Sequence, residues 1–454
     1  MSAINVNSIT GRTGTHGPVL TGVTTATNGL HVGSGVSVSG ISTFNNTVVG
    51  GATTELVVGG DARITGILTV GQSSVTISGD GISGITTAGI TTAYVTSIND
   101  LNFPTAGALS NRNLIINGAM QIAQRETSVG GNTGNGYTTL DRMGLFQNLG
   151  GLNISQSSEA PSGFYNSIKY EVDSTGSAVN STIVTPHQIV EGYSIAHLNW
   201  GSSDAQSVTF SFWVRSSITG TYGAWIRNAA ETRYQPKEFT VTSANTWEKK
   251  ILTFTGETSG TWDVTNGRGL AIGICLDAGS NRYGTADTWN TSGDAFTTSN
   301  QTNFMANSGA TFYLTGVQLE VGTRATPFEH RSYGDELAKC QRYYWQIQNP
   351  NGTNNSFGWL GTSYGNGNSA YVPIHFVTSM RTRPSLAMGG SWRTRATNIN
   401  NFTGDWNTHG SGSPESMIVA KSGAGNLPAN TVYWLEAANQ TGETRAFLKL
   451  NSEL

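Results

Sequence analysis

Val208-Thr-Phe-Ser-Phe-Trp-Val-Arg215 alternates strictly, placing Val208, Phe210, Phe212 and Val214 on one side and Thr209, Ser211, Trp213 and Arg215 on the other. A period of two over eight residues marks a strand with one face buried and one turned outward. Leu270, Ile272, Ile274 and Leu276 make a second inward row, and Tyr313, Val317, Leu319 and Val321 a third. Gly, Asn and Ser turns separate these runs, which predicts an antiparallel sandwich. About two hundred residues suffice to close one such core. The expectation is a jelly-roll-like sandwich over 110–331, opened by Asn113-Leu-Ile-Ile-Asn-Gly-Ala-Met-Gln-Ile-Ala-Gln-Arg125.

Upstream the sequence changes character. Gly33-Ser-Gly-Val-Ser-Val-Ser-Gly-Ile-Ser-Thr, Leu56-Val-Val-Gly-Gly-Asp-Ala-Arg-Ile-Thr-Gly-Ile-Leu-Thr-Val-Gly71 and Gly81-Ile-Ser-Gly-Ile-Thr-Thr-Ala-Gly-Ile repeat one theme. Short aliphatic alternations are broken by glycines, which supply the positive φ of tight turns. Before Asp100 there is no Trp or Lys, and Phe44 and Tyr94 are the only aromatics. Such a segment cannot by itself offset a chain entropy of roughly 1–2 kcal/mol per residue. Parallel chains that cover one another's aliphatic stripes can do so. The region 31–109 therefore reads as the shaft of an intertwined, trimeric β-repeat fibre. A flexible linker and a monomeric β-solenoid are the competing readings, opposed by the dense Val and Ile and by the uneven spacing. Residues 1–30 lack sustained alternation and hold Pro18. They are the expected segment for docking onto a larger particle.

Downstream, Ser332-Tyr-Gly-Asp-Glu-Leu-Ala-Lys-Cys-Gln-Arg-Tyr-Tyr-Trp345 reads as a connecting helix over 332–346, with acidic residues in its first turn. Leu337, Cys340, Gln341 and Tyr344 fall on one side of it. Cys340 is accordingly a small apolar face residue. The remainder, 347–454, is Gly- and Asn-rich with strands at 370–377 and 431–437, a smaller β domain. The whole chain is thus all-β apart from one helix.

Composition narrows function. Among 454 residues there are 58 Gly, only 12% are charged, and the net charge is −3. No basic field for nucleic acid exists. The two cysteines, Cys275 and Cys340, make no disulfide framework. The N-terminus lacks the basic and apolar regions of a Sec signal, and the longest apolar run, 270–276, cannot span a bilayer. Assembly in the cytoplasm of a host, without membrane insertion, is the expectation.

The segments Asn113–Arg125, Phe210-Ser-Phe-Trp-Val-Arg-Ser-Ser and Thr246-Trp-Glu-Lys-Lys resemble bacteriophage tail-fibre proteins. The similarity is most specific at Phe312-Tyr-Leu-Thr-Gly-Val-Gln-Leu-Glu-Val-Gly-Thr-Arg-Ala-Thr-Pro-Phe-Glu-His-Arg331 and on through Glu336-Leu-Ala-Lys-Cys-Gln-Arg-Tyr-Tyr-Trp345. It covers 110–345 well and the repeats in style only. The resemblance implies a homotrimeric virion fibre whose middle domain is similar to carbohydrate-binding jelly rolls. Its partners would be further copies of itself, a baseplate, neck or capsid protein held through 1–30, and a host-surface glycan or receptor.

Eleven Trp lie between Trp200 and Trp434 and none in the shaft. Trp stacks on sugar rings. Trp213, opposite large apolar residues, and Trp225 with Arg227 on one strand face are the candidate glycan or partner contacts. Most Trp in a sandwich belong to the core, the competing reading for Trp213 and Trp225, and if those faces are buried between protomers the three are trimer contacts instead. A depolymerase would need two carboxylates roughly 5–10 Å apart across a sugar cleft. Glu171 with Asp173, Asp263, Asp277 and Glu320 are the candidates, but acidic residues on exposed strands are mostly solubilising. The seven His show no HxxxH or HxH spacing, and no Cys–His pair, nucleophile elbow or P-loop occurs. The expectation is a non-enzymatic fibre with no cofactor or metal. A decoration fibre on head or neck without a receptor role, and a glycan depolymerase, are the alternatives.

Overall fold

A computed structural model describes residues 97–98, 101–102, 111–291, 294–348, 355–364, 369–395, 399–403, 406–410, 412–422, 428–437 and 445–454. The expected attachment segment 1–30 and nearly all of the expected shaft 31–109 lie outside the described residues. The described strands belong to one unit, Tyr94–Leu454. β1 (Ser97–Ile98) and β2 (Leu101–Asn102) pair antiparallel at its start.

The sandwich is built from β3 (Ser128–Asn132), β4 (Gly144–Gln147), β5 (Gly151–Ser157), β6 (Ser167–Ser174), β7 (Ile183–Glu191), β8 (Val208–Ser216), β9 (Gly220–Asn228), β10 (Tyr234–Val241), β11 (Glu248–Phe254), β12 (Arg268–Cys275), β13 (Asp277–Ala278) and β14 (Thr311–Val321). One sheet runs β11-β8-β14-β6-β5-β3, the other β10-β9-β12-β7-β13 with β4 also on β7. Every pairing in both is antiparallel. Val208, Phe210, Phe212 and Val214 from the first sheet meet Leu270, Ile272, Ile274 and Leu276 from the second sheet's side in one continuous core.

The third expected row is corrected at one residue. Phe312 and Leu314 point into the core together with Val317 and Leu319, whereas Tyr313 lies outside that cluster. Between Thr315 and Gln318 the register with β8 shifts, and Gly316 there has φ +60°. The extra residue of this bulge inverts the alternation, so the odd-numbered positions turn inward only after it. An unbroken period of two could not foresee that inversion.

The segment 312–331 closes the domain on itself. Leu114 N–H donates to Leu319 O at 2.8 Å, and Asn113 Oδ1 accepts from both Leu319 N and Ile115 N at 3.0 Å. Glu329 accepts from Asn113 N at 2.9 Å, while Arg331 Nη1 donates to Ile115 O at 3.0 Å. These bonds staple the first residues of the sandwich to its last strand, and so supply partners for backbone that no sheet covers.

The helix α1 (Tyr333–Gln341) is shorter than the periodicity predicts. Ser332 caps it by accepting from Asp335 N at 3.2 Å, and Cys340 is buried on its inner face. Tyr344 is not helical and instead opens β15 (Tyr344–Gln348). The C-terminal part adds β16 (Asn355–Tyr364), β17 (Ser369–His375), β18 (Ser385–Gly389), β19 (Ser391–Arg395), β20 (Ile399–Thr403), β21 (Asn407–His409), β22 (Ser416–Ser422), β23 (Val432–Ala437) and β24 (Phe447–Asn451). A three-stranded sheet β15-β24-β18 and a seven-stranded sheet β20-β19-β23-β16-β17-β22-β21 share a second core that includes Val372, Trp392, Val419, Tyr433, Leu448 and Leu450.

Candidate functional site

On β9 the alternation sends Ala224 and Ile226 into the sandwich core and Trp225 and Arg227 to the opposite face of the sheet. That face is roofed by the segment between β13 and β14. Phe296 from this roof packs edge-on against Trp225 (4.8 Å between centroids) and against Tyr234 (5.5 Å). Where the roof stops, a cleft of about 210 Å³ opens, lined by Phe146, Arg227, Glu231, Arg282, Asp294 and Phe296 with Asn135, Gln147, Asn148 and Ile183.

Arg227 forms the inner wall. Its guanidinium carbon lies 5.6 Å from the Phe146 ring centroid and 5.9 Å from those of Trp225, Tyr234 and Phe296. Aromatic faces attract a cation electrostatically and offset part of its desolvation. Nη1 pairs with Glu231, while the buried Nε has no hydrogen-bond acceptor among the described residues. Arg227 is 4% exposed, whereas the Glu231 side chain is 50% exposed. Across the cleft Arg282 pairs with Asp294, and its Nε donates to Ser181 O at 3.1 Å. Asp294 Oδ1 also accepts from the Tyr234 hydroxyl at 2.6 Å. Phe146 stacks on His187 at 3.8 Å and 15°. Burial pushes the His187 pKa down to about 3, so this ring is neutral.

The cleft therefore offers two guanidinium groups, two carboxylates, side-chain amides and aromatic edges. Among the described residues, no Ser, Cys or His lines it. The arrangement is suited to holding a polyhydroxylated ligand by hydrogen bonds on an apolar floor.

Of the residues singled out from sequence, the structure brings Trp225 and Arg227 together and leaves Trp213 on the other sheet. Trp225 has no exposed surface, and its Nε1 donates to Thr185 Oγ1 at 2.7 Å, so it supports the cleft from beneath and is not a contact residue. Trp213 is half-buried, opposite Lys249 and Thr315. The carboxylates weighed for hydrolysis are scattered. Glu171 pairs with Lys169 on the outer face of β6, and Asp173 is exposed beyond it. Asp263 caps a turn by accepting from Thr265 N at 2.7 Å, Asp277 accepts from Met305 N at 2.9 Å, and Glu320 accepts from Thr326 N at 2.8 Å. Glu231, Arg282 and Asp294 carry no periodic signal, because they sit in a hairpin turn and in the roof.

No family model matches the chain, and no curated protein matches it in sequence. Solved structures do overlap with it. The enzymatically active domain of tailspike protein 4 of bacteriophage CBA120 is 11% identical, with a TM-score of 0.26 over 46% of this chain and 21% of that one. The C-terminal family 22 carbohydrate-binding module of Clostridium thermocellum Xyn10B is 10% identical, with a TM-score of 0.26 over 48% of this chain and 99% of the module. The CBM22-1 xylan-binding domain of Paenibacillus barcinonensis Xyn10C is 11% identical, with a TM-score of 0.23 over 47% and 96%. The chain spans about a fifth of the tailspike structure's length.

Proposed function

We propose that the sandwich is a non-catalytic glycan-binding module within a fibre carried on the outside of a bacteriophage particle. The observation behind glycan binding is the Arg227 cleft, where buried and half-exposed charged groups alternate with aromatic edges. Sugar hydroxyls donate to carboxylates and accept from guanidinium and amide groups, while their C–H faces pack on aromatic rings. The fibre reading draws on the coreless aliphatic repeats of 31–109 and on the likeness of 312–345 to tail-fibre sequences. In this reading 1–30 attaches to baseplate, neck or capsid, 31–109 trimerises, and 110–454 faces the host surface.

The test uses the full-length protein against host-surface polysaccharide. Wild type binds and releases no new reducing ends. Arg282→Gln, which changes the cleft wall without opening the core, weakens binding about tenfold, the loss expected for one charge-assisted hydrogen bond. Steady release of reducing ends would make the chain a depolymerase, and binding indifferent to Arg282→Gln would move the site elsewhere.

A further inference from the structure

We infer that the cleft selects neutral glycans, and that Glu231 and Asp294 are the specificity-determining residues that exclude acidic ones; this rests on the glycan-binding reading above. A guanidinium fork alone would be a receptor for a sugar carboxylate, since its geometry matches two carboxylate oxygens. Here neither fork is vacant. Nη1 of Arg227 already faces Glu231, and Nη1 of Arg282 already faces Asp294. The four charges cancel. Their depth is unequal, because the Arg227 and Arg282 side chains are 5% and 20% exposed while Glu231 and Asp294 are 50% and 37% exposed. A ligand entering from solvent meets the carboxylates first. A uronate or sialate would bring like charge against both, which is discrimination by repulsion. A neutral hydroxyl pair meets the same groups without conflict, donating to a carboxylate and accepting from the guanidinium beside it.

The position of Glu231 is built into the hairpin. Its φ is +58°, in the left-handed region that non-glycine residues seldom occupy. Asn228 fixes the turn, its Oδ1 accepting from Thr232 N at 3.0 Å and Arg233 N at 3.1 Å. The turn thereby sets Glu231 at the mouth of the cleft, where its carboxylate pairs with Arg227.

The experiment is a glycan array carrying neutral, uronate-bearing and sialylated glycans, probed with full-length wild type, Glu231→Gln and the double variant Glu231→Gln/Asp294→Asn. Wild type is expected to bind neutral glycans, with affinity changing by less than about twofold between roughly 50 and 500 mM salt. The double variant is expected to gain about tenfold in acidic-glycan binding as the repulsion is removed. Glu231→Gln moves in the same direction and guards against misfolding of the double variant. Acidic glycans dominating the wild-type profile would overturn the inference and leave glycan binding standing. An unchanged preference in both variants would overturn the exclusion role. No binding to any class would overturn the glycan-binding reading itself, and this inference with it.

Discussion

Glu191 at the end of β7 holds one edge of the Arg342 guanidinium with both its oxygens, Oε1 2.6 Å from Nη2 and Oε2 2.9 Å from Nε. Oε2 also accepts from the Tyr343 hydroxyl at 2.6 Å, and Glu191 is 3% exposed. Because Arg342 follows α1 and Tyr343 leads into β15, one carboxylate joins the sandwich to the C-terminal domain. Arg142 and Arg125 reinforce the joint. Each lies 3.7 Å from a tyrosine ring centroid, Tyr343 and Tyr344 respectively, and both pair with Glu453.

Burial raises the Glu191 carboxyl, but the Arg342 and Tyr343 hydrogen bonds outweigh it and hold the pKa below the ordinary glutamate range. A depressed folded-state pKa contributes stability that is present above the unfolded value and lost as pH falls through the folded one. Glu191→Gln removes the charge while Arg342 stays in place, and should cost about 3 kcal/mol. Denaturant unfolding measures it. A double-mutant cycle with Arg342→Met should return a coupling energy; zero coupling would mean that the pair is ornamental.

Asp277 shifts the opposite way. Its burial outweighs the hydrogen bonds from Met305 and Ala278 backbone and pushes the pKa up to about 6. A carboxyl raised on folding opposes stability while ionised, so its contribution improves as pH falls from above 6 towards the unfolded value near 4. Asp277→Asn keeps an acceptor for Met305 N and removes the charge. The variant should be more stable than wild type at pH 7 by at most about 3 kcal/mol, and the gap should close by about pH 4. Thermal unfolding across that range decides it; a gap that widens on acidification would reverse the sign.

Legibility followed the alternation. Val208–Val214 and Leu270–Leu276 could be assigned to a buried face because nothing interrupts their period of two. A bulge at Gly316 resets the period and takes Tyr313 out of the core row, and α1 ends before Tyr344, which keeps the helical spacing while belonging to β15. At the cleft, Arg227 was legible as a cation sharing a strand face with Trp225. What covers that face was not, since Phe296 and Asp294 come from a long connection without periodicity and only the fold brings them there. Burial of Trp225 under that roof is a tertiary fact that strand position alone cannot carry.

Gly118 tests the staple between the first residues of the sandwich and its last strand. A Cβ there would overlap the Val317 carbonyl oxygen, and Val317 N–H donates to Gly118 O at 2.9 Å. The overlapping atom is backbone and cannot rotate away as the end of a flexible side chain would. Gly118→Ala should therefore destabilise the sandwich by about 2–4 kcal/mol, as overpacking in a closed site does. Gly134→Ala, where nothing lies within 4 Å of the added carbon, is the control and should change stability by less than about 0.5 kcal/mol. Equal effects in the two variants would remove the staple from the account of the fold.

The last prediction concerns assembly. The sandwich and the C-terminal domain each enclose a core within one chain. The repeats of 31–109 have aliphatic stripes and almost no aromatic residue with which to build a core. Association should accordingly reside in the repeats, where identical stripes from three chains can cover one another. Light scattering of the full chain should give three times 47.9 kDa. Removing 31–109 should give a monomer whose unfolding transition for the sandwich is unchanged, because no contact within that core has been taken away. In the proposed fibre attachment depends instead on 1–30, so grafting that segment onto an unrelated trimer should recruit it to particles that lack the native protein. A full-length monomer would return the repeats to the linker reading, and a trimer that survives loss of 31–109 would place the contacts on the sandwich faces, with the half-buried Trp213 the first residue to mutate.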